Sequence, residues 1–193
     1  MYFTAILFWL LLAPVVIFIC IYISSFNYLI KLRNDVSAAY SNIDVQLKKR
    51  YDLIPNLVST VREYMKYEEK TLNQLISLRT KAISQLTQSG ERLALDKEIS
   101  QTLGSLILSV ENYPELKANN NFLQLQETLN EVELNISASR RSFNSYTRNY
   151  NTIIESFPYF LVAKNLNLQK VKYFETLIEE KKVPNIDELF SKN

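Results

Sequence analysis

The 193-residue chain contains no histidine, one cysteine, two glycines and five prolines. Without histidine there is no Ser-His-Asp triad, no Cys-His dyad, no His-bearing zinc site and no phospho-accepting imidazole, because the commonest general base and metal ligand is missing. One cysteine excludes an intramolecular disulfide. So few glycines and prolines leave too little turn chemistry for a many-stranded sandwich or barrel, and no Gly-rich loop to cradle a phosphate. The 22 basic and 20 acidic residues give a net charge of +2, too balanced to mark a nucleic-acid-binding surface. These absences leave a chain whose sequence speaks of place and architecture and names no reaction.

What is present begins with a long uncharged start. No Asp, Glu, Lys or Arg precedes Lys31, and residues 3–23 are almost wholly apolar. At ~1.5 Å per residue this run reaches ~31 Å, about the thickness of a bilayer's hydrocarbon core. A helix satisfies its own backbone and is the form lipid permits, with Pro14 tolerated mid-span as a kink. Tyr2 and Tyr22 stand where the two interfaces fall. A cleaved signal peptide fits less well, since no basic residue precedes the run and Ile19, before Cys20, is too large for a lipoprotein cut. Positive charge follows the run, at Lys31, Arg33, Lys48, Lys49 and Arg50. The positive-inside rule therefore puts the body in the cytoplasm and the amino terminus outside.

From Asn27 onward the apolar spacing is helical. Leu29, Leu32, Val36, Tyr40, Ile43 and Leu47 form a first stripe. Leu57, Val61, Met65, Leu72, Leu75, Ala82 and Leu86 form a second, interrupted by Glu68 and Arg79. Leu95, Ile99, Leu103, Leu106 and Val110 form a third. The fourth is the most regular: Phe122, Leu125, Leu129, Val132, Ile136, Phe143, Tyr146, Tyr150, Ile153 and Phe157 alternate steps of three and four, with Ser139 in the one polar place. That pattern is an a/d seam of the coiled-coil or bundle type. Pro55 predicts a turn or kink near Asp52, with a hairpin preferred. Ser89-Gly90 and the stretch from Asn112 to Asn121 supply the other breaks, with Asn121 as a cap for the fourth helix. The expected fold is all-α: an N-terminal transmembrane helix, then an antiparallel up-down four-helix bundle with long helices. The expected divisions are an anchor over 1–26, the bundle over 27–167 with Asn167 as a left-handed stop, and a weakly ordered tail over 168–193.

Three blocks of residues resemble a known family. The first is Arg33-Asn34-x-Val36 followed by an unbroken run, Ser41-Asn42-Ile43-Asp44-Val45-Gln46-Leu47-Lys48-Lys49-Arg50-Tyr51-Asp52-Leu53-Ile54-Pro55-Asn56-Leu57-Val58. The second is Tyr113-Pro114-x-Leu116-Lys117-Ala118 with Phe122-Leu123-x-Leu125-Gln126, and the third is Arg140-Arg141-x-Phe143-Asn144, Tyr150-Asn151 and Phe157-Pro158. In order, spacing and amino-terminal anchor the chain resembles the LemA family of bacterial membrane proteins over roughly residues 27–175. The resemblance implies a single-span protein carrying an antiparallel helical bundle, and leaves the molecular task open. The chain departs from that pattern at Tyr67, where the family has a histidine, at Phe143, where it has a tyrosine, and at Asn167-Leu168, where it has Gly-Phe. The missing histidine weakens any catalytic or metal role at that end.

The polar candidates are Asp44, Lys48, Lys49, Arg50 and Asp52, expected at the far end of the first helix, where they form an anion or partner site or merely stabilise a helix terminus. Arg140 and Arg141 flank Ser139 and serve either as a register-fixing ion pair with Glu131 or Glu133, or as exposed helix charge. Asn56, Asn144, Asn149 and Asn151 are candidates for polar layers or loop caps. The aromatic set Tyr113, Phe143, Tyr146, Tyr150, Phe157, Tyr159 and Phe160 reads mostly as core, any exposed part marking a contact surface. A di-iron bundle needs Glu-x-x-His pairs and is excluded. No catalytic residue, cofactor, metal or small-molecule substrate is expected. The implied partners are the bilayer, through residues 3–23, and a second copy or another protein, with no nucleic acid. The expected function is a membrane-anchored structural or protein-interaction module at the bacterial inner membrane. A regulatory module coupling membrane to cytoplasm ranks second, and an enzyme without histidine third.

Overall fold

The computed structural model describes residues 2–84 and 89–174, and every regular element among them is helical. The elements are α1 (Tyr2–Arg62), α2 (Glu69–Ser84), α3 (Ser89–Ser109), α4 (Pro114–Lys117), α5 (Asn120–Ile153) and α6 (Tyr159–Asn165), with single 3-10 turns at Lys66–Glu68 and Val110–Asn112. The chain divides into two compact units, one of Met1–Tyr40 with Arg140–Asn193 and the other of Ser41–Ser139.

The apolar start is the outer part of α1. From Trp9 to Ile23 nearly every side chain lies exposed, including Leu10, Leu11, Ile17 and Phe18. Leaving such residues in water forfeits about 1.5–3 kcal/mol each, so the segment belongs in lipid. It lies in the one helix among the described residues that is long and apolar enough to cross a bilayer. Burial begins just past it, at Ser25, Leu29, Leu32, Val36 and Ala39, in the first-stripe spacing.

The hairpin expected at Pro55 does not form. α1 passes through Pro55 and ends seven residues later, at Arg62. A proline inside a helix has no N–H to give the carbonyl four residues back, which here belongs to Tyr51. Arg79 of α2 donates its Nε–H to that carbonyl at 2.8 Å. The residue read as an interruption of the second stripe therefore replaces the bond that Pro55 cannot make. The turn comes instead at 63–68, where Met65 leaves helical geometry (φ −108°, ψ 53°) while buried at the apex. No glycine or proline marks it. The second helix is consequently a 16-residue α2, not a rod starting at Leu57. Its expected continuation to Leu86 lies outside the described residues. Ser89 and Gly90, expected to separate helices, fall within α3.

α5 starts two residues earlier than expected. Asn119, not Asn121, is its cap: the Asn119 Oδ1 accepts the N–H groups of Asn121 (2.9 Å) and Phe122 (3.2 Å), two of the four donors a helix start leaves open. Its buried residues begin on the heptad, with Phe122, Leu129, Val132, Ile136 and Phe143, and then Thr147 and Asn151 join Tyr150 on the buried face. Tyr146, on the expected seam, is exposed, and Phe157, expected as the last seam residue, lies past the end of α5 at Ile153 and is exposed as well. A straight helix at 3.6 residues per turn drifts ~20° per heptad away from a strict 3.5 repeat. Over four heptads that moves the inward face by one residue, as observed.

Beyond α6, Asn167 adopts a left-handed φ of 50° and the Leu168 N–H reaches back to the Ala163 carbonyl at 3.0 Å, closing the helix. Residues 168–174 then run along α5. The remainder of the expected tail, 175–193, lies outside the described residues.

Candidate functional site

The most concentrated polar chemistry lies in the second unit, around Arg50. Arg50 shares the inward phase of Ile43 and Leu47 on α1 and is only 1% exposed. Its Nη2 donates to Asp96 of α3, itself buried. Its Nη1 donates to Ser100 Oγ of α3 and to Glu133 Oε2 of α5, both at 2.8 Å. The Tyr51 hydroxyl stands 3.5 Å from the same Asp96 oxygen, while the Tyr51 carbonyl takes the Arg79 bond. Side chains from α1, α2, α3 and α5 thus meet around two adjacent residues. A guanidinium is suited to this, since its planar fork serves several acceptors at once and holds its charge. The arrangement binds helices together. Its charged groups are engaged with one another.

The expected site residues divide between the two units, Asp44 to Asp52 in Ser41–Ser139 and Arg140 and Arg141 in the other. Lys48, Lys49 and Arg50 lie well inside α1, because that helix continues past Pro55, so they are not helix-terminus charges. Lys48 pairs with Asp52 at 2.7 Å on the surface. Lys49 is exposed and Asp44 half-buried. Arg141 is exposed, whereas Arg140, in phase with the drifted inward face, lies with its guanidinium 5.6 Å from the centre of the Phe174 ring. Glu133, considered as a partner for Arg140, bonds Arg50.

In the first unit the polar work is done by amides. Asn151 donates its Nδ2–H to the Val171 carbonyl and accepts the Val171 N–H on Oδ1, each at 2.9 Å. Asn144 does the same for Phe174, at 3.0 and 2.8 Å. Seven residues of helix rise ~10.5 Å and three extended residues span ~10 Å, so the two amides match a segment running opposite to α5. Phe174 closes the strap, packed edge-on against Phe143 (5.7 Å between centroids) and beside Tyr40 (6.4 Å). Tyr150 lies on the same inward face. Burial raises its phenol pKa above the ordinary value, and the nearby Arg33 charge partly opposes this.

Other features are sparse. An open depression in the second unit is lined by Glu63, Tyr64, Asn112, Tyr113, Pro114 and Glu115. It offers two carboxylates and no basic lining side chain. Among the described residues no cluster of three or more His, Cys, Asp or Glu could hold a metal ion. Asp96 was the residue sequence reasoning missed. Its signal was present, because Asp96 stands three residues before Ile99 and seven before Leu103, on the apolar face.

Comparison with known proteins agrees with this architecture. The LemA family matches residues 39–187. The chain belongs to the LemA family. Protein LemA of Metamycoplasma hominis is 27% identical over 159 residues, covering 82% of this chain and 73% of that protein. Magnetosome protein MamQ of Magnetospirillum gryphiswaldense is 24% identical over 184 residues, 82% of this chain and 68% of that protein. Magnetosome protein MamQ 2 of Paramagnetospirillum magneticum is 24% identical over 186 residues, with 83% and 68% covered. Family membership, the all-helical fold and the exposed apolar segment of α1 make this LemA-family chain a membrane-associated helical module.

Proposed function

We propose that the chain is a structural and protein-interaction module, tethered at the cytoplasmic face of the bacterial inner membrane with its amino terminus outside, and self-associating or docking a protein partner there. The observation that carries this reading is α1, one unbroken helix from an exposed apolar segment into a folded body. Lys31 and Arg33, both exposed just past the apolar run, support a cytoplasmic body through the positive-inside rule. The body is an antiparallel up-down four-helix bundle. In support, Arg50 of α1 meets Glu133 of α5, while Tyr64, just past the end of α1, meets Asn119, just before the start of α5. Lys49 and Arg141, exposed and outside the internal clusters, are candidate partner contacts beside Asp44, Lys48 and Asp52. Amine-reactive crosslinking in native membranes tests the reading. It is expected to yield dimers or adducts with one or a few recurrent proteins. A strictly monomeric protein with no adduct contradicts it.

The unbroken α1 also favours a second reading, a regulatory module passing a state of the membrane to the body through a shared helix. Removing residues 3–23 is then expected to abolish signalling while leaving the body folded.

A further inference from the structure

α6 sits beside α1 at a defined height. The Tyr159 ring packs on Tyr28, with 5.4 Å between centroids, and Asn165 donates its Nδ2–H to the Tyr22 hydroxyl at 2.9 Å. Tyr159 to Asn165 and Tyr28 to Tyr22 are each six residues, ~9 Å of helix. The two helices therefore run side by side in opposite directions, and α6 spans the level of Tyr22 to Tyr28. The apolar run of α1 ends at Ile23. The headgroup layer adds only about 5–8 Å beyond the hydrocarbon on each side, which covers α1 to about Tyr28. With α1 across a bilayer, α6 thus lies at headgroup depth.

The outer face of α6 has the composition for that layer. Val162 and Ala163 are buried inward, whereas Phe160 (41%) and Leu161 (47%) are exposed. Phe157, 79% exposed, stands one turn above, its ring 6.4 Å from that of Phe160. Lys164 is exposed on the same face, one turn below Phe160. Lys164 stands on the hydrocarbon side of Phe160 and Leu161, so its aliphatic stem lies along the apolar boundary and its ammonium extends outward to lipid phosphate, while the ring and the leucine fill the interface. We propose that Phe160, Leu161 and Lys164 form a second membrane contact, a lipid-facing wedge that sets the body's approach to the bilayer in which α1 is anchored. This rests on the membrane-spanning segment of α1 and is independent of orientation or self-association.

The test uses the full chain reconstituted in phosphatidylcholine–phosphatidylglycerol vesicles. Trp9 is the chain's sole tryptophan and lies in the apolar segment, so quenching of wild-type emission by lipid brominated along the acyl chain reports the anchor itself. In a Trp9→Phe background, Phe160→Trp places the probe on the wedge. Tyr146→Trp is the control, because neighbouring Phe143 contacts Tyr40, ~25 Å along α1 from Ile23. The Phe160→Trp emission is expected to be blue-shifted and to lose at least about half its intensity to lipid brominated near the headgroup, with Tyr146→Trp unchanged. If Phe160→Trp loses helicity, Leu161→Trp takes its place. With Trp9 quenched in the wild type, a wedge probe that behaves like Tyr146→Trp overturns the proposal. A blue-shifted but unquenched probe also overturns it, and shows the face covered by a second copy or another protein.

Discussion

The two units fasten the same two long helices by different chemistry. In Ser41–Ser139, α1 and α5 meet through a buried guanidinium held by two carboxylates and a hydroxyl. In the unit containing Arg140–Asn193, a strap is held through its backbone by two asparagine amides and through Phe174 by rings and Arg140. The first device has high stakes: removing one partner strands a charge in a low dielectric, where no water compensates it. The second is local and rests on two equivalent neutral amide steps, with Arg140 on the Phe174 ring and an exposed Lys170–Glu155 pair (2.7 Å) beside them. A rigid core and a releasable strap follow from that difference.

Breaking the charged device has the largest expected effect. Arg50→Ala leaves Asp96 buried without its cation and is expected to cost about 3–5 kcal/mol, read as a lower urea midpoint of the full chain in detergent. Replacing the pair together, Arg50→Met with Asp96→Leu, is expected to recover most of that loss. Equal losses in the single and double variants would deny that stranded charge is the cause.

Next is the bond that lets α1 continue past Pro55. Arg79→Met leaves the Tyr51 carbonyl without its charged donor and is expected to cost about 1.5–3 kcal/mol. Pro55→Ala supplies the missing N–H, so in that background the same Arg79 change is expected to cost much less. An unchanged penalty in this double-mutant cycle would separate Arg79 from Pro55.

The strap comes third. Asn151→Ala removes two hydrogen bonds to Val171 and is expected to cost about 1–3 kcal/mol locally. The expected readout is faster tryptic cleavage at Lys170 and Lys172 with an unchanged global midpoint. Asn144→Ala is expected to free the Phe174 end while leaving Lys170 protected, and global loss in either variant would erase the contrast between the units.

The smallest effect is alkaline. Burial holds the Tyr150 phenol protonated above its ordinary pKa, so the unfolded chain releases that proton first as pH rises. Stability is expected to be insensitive to this group below about pH 10 and to fall above it. Tyr150→Phe is expected to remove that part of the fall in urea midpoints measured across the range.

The apolar span was legible because charge and length alone mark it: a bilayer calls for a long uncharged helix, and residues 3–23 offer one. Helical phase was legible for Leu29 to Leu47 and for Phe122 to Phe143. It slipped at Tyr146 because a 3.5 repeat cannot be told from 3.6 until several turns have accumulated, and at Phe157 because α5 ends at Ile153. Pro55 misled because the compensating donor, Arg79, comes from a separate helix 24 residues away. Arg50 and Asp96 were each in phase with apolar neighbours, yet a charge on an apolar face reads as an interruption until its counter-charge is seen on another helix. Asn144 and Asn151 were singled out as polar-layer candidates, but not their partner, since backbone-to-amide bonding leaves no mark on the residues at 171 and 174.

The central claim is that residues 3–23 stay attached and hold the body at the inner face of the membrane. Protease added to intact spheroplasts, followed with a tag at the carboxyl terminus, tests it most directly. The account predicts a full-length, membrane-pelleted chain that resists digestion until the membrane is permeabilised. Digestion in intact spheroplasts, or a soluble mature chain starting near Ser24, would contradict it.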